Sequence, residues 1–196
     1  MVNLNKYTIF TDHIKSLKEI SADDADQNNI VYMTESSLKA VDFDAVKDAY
    51  QHNLKLEGEH ARSVDAVITT DNSIVFIEFK NGDMKNQKAP VKEKLRDSLL
   101  IFGGITGTDI NFDRENVDFV LVYNEDKNPL PNQFTKGMVQ SSPSLTFIAK
   151  HIAQRGKEEF VLFDLDRFKH LYFREVHTYT VTEFENYLTK LKSVIE

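Results

Sequence analysis

The chain has 196 residues, 41% of them hydrophobic and 28% charged, so it can bury a substantial core as a single domain over 1–196; with only 7 Gly and 4 Pro it is neither fibrous nor disordered. The absence of cysteine excludes a disulfide framework, a thiolate metal site and a Cys nucleophile, and no apolar run reaches the ~18–20 residues of a membrane span. The first residues lack a signal-peptide pattern, so a cytoplasmic protein without a membrane partner is expected, and the net charge of -7 disfavours unguided contact with a phosphate polymer.

In chain order, residues 9–20 have helical spacing, with Ile14 and Leu17 placed like a buried stripe. A second helical region is predicted over 34–56, open to a break near Asp42, with Thr34 as its cap and Phe43, Val46 and Tyr50 at i, i+3 and i+7. The period then changes. Residues 63–69 and 73–80 are rich in Val, Ile and Phe, and the turn formers Thr70, Asp71 and Asn72 between them predict a β-hairpin, ended by Asn81-Gly82. Pro90 opens a helix carrying Leu95, Leu99 and Phe102, which Gly103-Gly104 is expected to stop.

Val117–Tyr123 reads as an apolar strand, and Ser142-Pro143 caps a helix with Leu145, Ile148, Ala149 and Ile152 inward, closed by Gly156. A strand is predicted over 160–165, with 170–176 as its pairing candidate. The closing helix, Val181–Ile195, has Phe184, Leu188, Leu191 and Ile195 on one side. Interleaved strands and helices predict an α/β fold with a central mixed β-sheet flanked by helices on both faces.

The chemistry is concentrated on the second hairpin strand. Period two places Val75, Ile77 and Phe79 on one face and Phe76, Glu78 and Lys80 on the other. Burying an uncompensated carboxylate or ammonium costs several kcal/mol, so Glu78 and Lys80 need a partner, either each other or a metal ion. Asp65 is an acid in the otherwise apolar first strand, and residues paired across such a turn have numbers of roughly constant sum, which brings Asp65 and Glu78 together. Converging carboxylates need a proton or a cation between them, and hard oxygen ligands favour Mg²⁺ or Mn²⁺.

This arrangement resembles the PD-(D/E)XK nuclease superfamily, whose fold is called restriction-endonuclease-like. Asp65 matches the first acid, and Glu78-Phe79-Lys80 the (D/E)XK element after twelve intervening residues on a hairpin; a helix follows, and the motif-bearing core spans about 34–123. Val64 stands where the family name writes Pro. The resemblance implies a metal held by Asp65, Glu78 and the carbonyl of Phe79, with Lys80 positioning a water for attack on a phosphodiester, in DNA before other substrates. Many members of the fold place a further acid on the preceding helix, for which Glu35 is the first choice and Asp48, Glu57 and Glu59 are alternatives. The following helix offers Lys92, Lys94, Asp97 and Ser98.

An acid, any residue, then Lys also occurs at Asp83 and Glu125, but both lie in predicted loops, so the strand context carries the weight. Lys80, Lys85, Lys88, Lys92, Lys94 and Arg96 face only Asp83 and Glu93, a basic strip that suits either a polyanion or a solvated helix face. The competing function is a catalytically inactive member of the same fold, acting as a binding or protein-interaction module, which the net charge favours. A small domain can obtain its substrate through a homodimer or a protein partner, so the net charge does not settle the choice.

Overall fold

The computed structural model describes residues 2–58, 60–129 and 161–195. In chain order its elements are α1 (Thr8–Thr11), β1 (Ile14–Ser16), α2 (Leu17–Ile20), β2 (Ala22–Asp23), β3 (Val31–Tyr32), β4 (Lys39–Asp42), α3 (Phe43–Asn53), β5 (Ala66–Thr69), β6 (Ile74–Lys80), α4 (Lys88–Thr106), α5 (Ile110–Asn116), β7 (Val117–Tyr123), β8 (Glu175–Thr180) and α6 (Val181–Ile195). The fold is α/β around a six-stranded mixed sheet ordered β1-β4-β5-β6-β7-β8, with β2 and β3 forming a separate pair. Pairing is antiparallel from β1 through β6; β7 then runs parallel to β6, and β8 parallel to β7. The parallel step is possible because α4 and α5 carry the chain back along the sheet before β7 begins.

The hairpin follows the local chemistry. The Thr70 amide donates to the Ser73 carbonyl at 2.8 Å, and β5 pairs with β6 so that Ala66 faces Ile77 and Val67 faces Phe76. Every residue of β6 except Lys80 is buried. One face of the sheet carries Val67, Phe76, Phe119 and Leu121 and packs against Phe10 of α1, Phe43 and Val46 of α3, and Val91, Leu95 and Phe102 of α4. The other carries Ala66, Ile68, Val75, Ile77 and Phe79 and is covered by Leu17 of α2 and by Phe184 and Leu188 of α6. Phe76 lies 5.5 Å from both Phe43 and Phe102, ring centre to ring centre, so a single strand residue seats α3 and α4.

The N-terminal third departs from the sequence expectation. Residues 9–20 are not one helix: β1 interrupts them, Ile14 is 45% exposed on that edge strand, and of the expected Ile14–Leu17 stripe only Leu17 reaches the core. A capping box restarts the helix, with Ser16 accepting from the Glu19 amide while the Glu19 carboxylate accepts from the Ser16 amide. Residues 34–42 are not helical either. Ala40 and Val41 are buried in β4, and Asp42 ends the strand by accepting from the Ala45 amide, so the helix begins at Phe43. Thr34 caps nothing; its hydroxyl donates to Glu185 on α6.

Further along, α4 runs through Gly103-Gly104, because those positions give close approach rather than a stop. A Cβ on Gly103 would stand 2.8 Å from the Thr108 carbonyl oxygen, and the helix ends at Gly107, whose φ is +75°. Residues 161–165 are not a strand: Phe163 and Asp164 have φ of 62° and 58°, incompatible with extended pairing. The last sheet strand is Glu175–Thr180, later than the predicted 170–176, and it joins β7 instead. The predicted helix over 142–156 and the Ile195 side chain lie outside the described residues. Neither α5 nor the β2–β3 pair was expected.

Candidate active site

Asp65 lies one residue before β5 and continues its register, placing it opposite Glu78. Its amide donates to the Ile77 carbonyl at 3.1 Å, and its Oδ2 accepts from the Phe79 amide at 2.6 Å. In an extended strand a residue's N–H and C=O point the same way, so the Phe79 carbonyl lies on this edge too. Glu78 shares the face of Phe76, under α3 and α4, with none of its surface exposed. Lys80, at the strand end, brings Nζ to 2.7 Å from Glu78 Oε1. The predicted acid pair and amine therefore converge.

A second ammonium joins them from α4. Lys94 Nζ donates to Asp65 Oδ1 and to Glu78 Oε2, each at 3.1 Å, and stands 2.8 Å from Glu78 Oε1. Glu78 Oε1 thus has two ammonium groups at ion-pair distance, although neither meets it with hydrogen-bonding angles. One turn later, Ser98 Oγ accepts from the Val64 amide at 2.8 Å. The i, i+4 pair Lys94 and Ser98 therefore holds α4 against the start of β5, beside the stripe of Val91, Leu95 and Phe102. The helical phase of those apolar residues was the signal that could have singled out Lys94 from the other polar groups of the helix.

Burial pushes Glu78 up to about 7, with the Asp65 charge adding to the effect and Lys94 and Lys80 opposing it. Burial also raises Asp65 above the ordinary carboxylate range, against the pull of Lys94 and the Phe79 amide. At Lys94 burial works the other way, but the two acids outweigh it and hold the ammonium more firmly protonated than usual. Each acid thus depends on a nearby positive charge to stay ionised.

Glu35 is not part of this group. It is exposed, precedes β4 rather than sitting on a helix, and pairs with Lys18 at 2.6 Å. Asp48 pairs with Lys47 on the surface, Glu57 is exposed, and Glu59 lies outside the described residues. The helix acid that lines the cleft is Asp44, in the first turn of α3, whose charge acts on both Asp65 and Lys94 and whose carboxylate accepts from Ser63 Oγ at 2.5 Å and stands 3.6 Å from Lys47 Nζ. It was missed because the helix starts nine residues later than expected. On α4, Asp97 accepts from the Arg62 amide, and Lys88 and Lys92 approach Asp164, so part of the basic strip is spent on structural contacts.

A polar cleft of about 420 Å³ opens on the group, lined among others by Asp23, Asp44, Asp65, Phe79, Lys80 and Asn81. A groove of about 480 Å³ elsewhere, against Leu4, Ile14 and Val41, contains no carboxylate. Asn81 closes one side of the polar cleft: its amide donates to Asp23 Oδ2 at 2.8 Å and its carbonyl accepts from Asn124 Nδ2 at 2.8 Å, tying β2 to the ends of β6 and β7. Among the described residues no three His, Asp or Glu side chains group closely enough to hold a metal ion by themselves. The candidate donors are therefore the two carboxylates and the Phe79 carbonyl, all hard oxygens, with a cation already seated between the acids in the form of the Lys94 ammonium. No protein-family profile, curated protein or solved structure matches the chain.

Proposed function

We propose that the chain is a restriction-endonuclease-like, Mg²⁺- or Mn²⁺-dependent nuclease of the PD-(D/E)XK type that hydrolyses phosphodiester bonds in DNA. The observation that carries this reading is the meeting of Asp65, Glu78 and Lys80 at one end of a hairpin, beside an open polar cleft. Asp65, Glu78 and the Phe79 carbonyl would hold the ion, which, when bound, supplies a Lewis acid that acidifies water and offsets charge on the phosphate.

The chain's own groups have separable tasks. The Phe79 amide fixes the rotamer of the Asp65 carboxylate, leaving Oδ1 to face the cation position. Complete burial of Glu78 keeps bulk water from the inner side, where electrostatic interactions are correspondingly stronger. Lys80 lies at the cleft rim, where its ammonium can orient a water by hydrogen bonding and stabilise negative charge developing on phosphate oxygens.

The test is incubation of the purified protein with linear, circular and single-stranded DNA, and with RNA, in Mg²⁺ or Mn²⁺, with Lys80→Ala as the contamination control. Metal-dependent cleavage of DNA that the variant lacks is the expected result. No cleavage of any substrate overturns the nuclease reading and favours an interaction module, for which one observation speaks: Lys80 and Lys94 together already balance the charge of the acid pair.

A further inference from the structure

We infer that Lys94 is a built-in competitor for the cation position, a tethered ammonium that a divalent ion must displace and that thereby sets the affinity of the site for metal. The inference rests on the metal-dependent reading above and goes beyond it, because it assigns a role to a residue outside the motif.

Geometry is the first argument. The ammonium touches Asp65 Oδ1 and both oxygens of Glu78, at 2.8–3.1 Å, so it fills the space that a cation shared by the two acids would occupy. It cannot be a bystander while those same oxygens bind metal. Charge gives the second argument. Asp65 and Glu78 are balanced by Lys80 and Lys94, and a divalent ion added to the intact group would leave an excess of two positive charges in a largely buried site. Withdrawal of Lys94 halves that excess.

Partial exposure gives the exchange a route. Glu78 is wholly buried, whereas the Lys94 side chain retains 18% exposure and has a four-carbon stem, so the ammonium has a path to water that the carboxylate lacks. The same contact explains how two buried acids tolerate folding before any metal arrives, since an unpaired buried charge would be strongly destabilising.

The test is a Mn²⁺ titration, followed by calorimetry and by the electron paramagnetic resonance of free Mn²⁺, on the full wild-type chain, Lys94→Met and Asp65→Asn. Removing the competitor is expected to tighten binding at least about tenfold in Lys94→Met, while Asp65→Asn loses it. Alongside this, the Lys94 Cε signal of the wild-type protein, assigned by its loss in Lys94→Arg, is expected to shift on saturation with Mg²⁺. That measurement needs no folded Lys94→Met. Asp65-dependent binding that is no tighter in Lys94→Met, or a Lys94 signal that stays in place as the site fills, overturns the competitor role and leaves the metal-dependent reading standing. An absence of Asp65-dependent binding in both wild type and Lys94→Met overturns the metal-dependent reading itself.

Discussion

The Asp65 carboxylate is tied to the Phe79 amide at 2.6 Å, so the acid before β5 is anchored to the residue that follows Glu78 on β6. That contact orients one acid by the backbone next to the other. It also separates two roles for Asp65, holding the hairpin end and presenting Oδ1, which Asn in its place would divide: the side-chain oxygen can still accept from Phe79, but the negative charge is gone.

Asp65→Asn and Glu78→Gln are therefore each expected to lower single-turnover cleavage of end-labelled DNA at least about a hundredfold while the chain stays folded. Lys80→Ala should bind Mn²⁺ much as the wild type does and lose rate. Undiminished cleavage by purified Asp65→Asn would remove the carboxylate from the chemistry.

Arg174, the residue before β8, binds both β7 and the hairpin turn. Its Nε and Nη2 donate to Asp118 at 2.8 and 2.7 Å, and Nη1 donates to the Asn72 carbonyl at 3.0 Å, clamping β8 to β7 and to the hairpin turn. A lysine cannot reproduce the planar fork, so Arg174→Lys should cost about 1–2 kcal/mol in urea denaturation. Loss of no more than a few tenths would mean that the clamp is as weak as an exposed ion pair.

Neighbouring glycines of α4 should differ. A Cβ on Gly103 meets backbone, the Thr108 oxygen at 2.8 Å, whereas one on Gly104 meets the hydroxyl end of Tyr50 at 2.5 Å. Backbone cannot step aside, so Gly103→Ala should cost about 1–3 kcal/mol. A tyrosine tip can rotate, and the gain in helix propensity offsets part of the strain, so Gly104→Ala should stay within about 1 kcal/mol of wild type. Thermal melts of the two variants decide it; equal losses would contradict the packing.

Asp113 on α5 gives a pH signature. It is buried, its Oδ1 lacks a hydrogen-bond partner among the described residues, and burial, assisted by the Asp109 charge, pushes it up to about 7. Because the folded chain holds this proton more tightly than the unfolded chain, stability from this group falls as pH rises from about 4 to about 7 and stays lost above that. Asp113→Asn cannot ionise, so its stability relative to wild type should improve between pH 5 and pH 8, by the order of 1–2 kcal/mol. A difference that is constant with pH, measured by denaturant titration, would show that Asp113 does not retain its proton.

The hairpin was legible because it is local. The two-residue period puts Phe76, Glu78 and Lys80 on one face, Thr70 and Ser73 supply the turn, and together they set the pairing that puts Asp65 opposite Glu78. Strand β7 and the start of α6 were readable for the same reason. Residues 9–20 failed because spacing alone does not distinguish Ile14 on an edge strand from Ile14 on a helix; the capping box formed by Ser16 and Glu19 was the overlooked signal.

Glu35 failed with the helix on which it was placed. Once β4 claims Ala40 and Val41 and Asp42 caps α3, the acid on the first turn is Asp44, and Glu35 is left paired with Lys18 at the surface.

The amino-acid order by itself determined the acid–acid–amine hairpin and the α/β class, since periodicity and turn chemistry act between near neighbours. Only the tertiary structure decided that Lys94 stands between the acids and that Asp44 lies beside them. The rotation of α3 and α4 about their axes is set by how Phe43, Leu95 and Phe102 seat around Phe76, a packing choice among residues far apart in the chain.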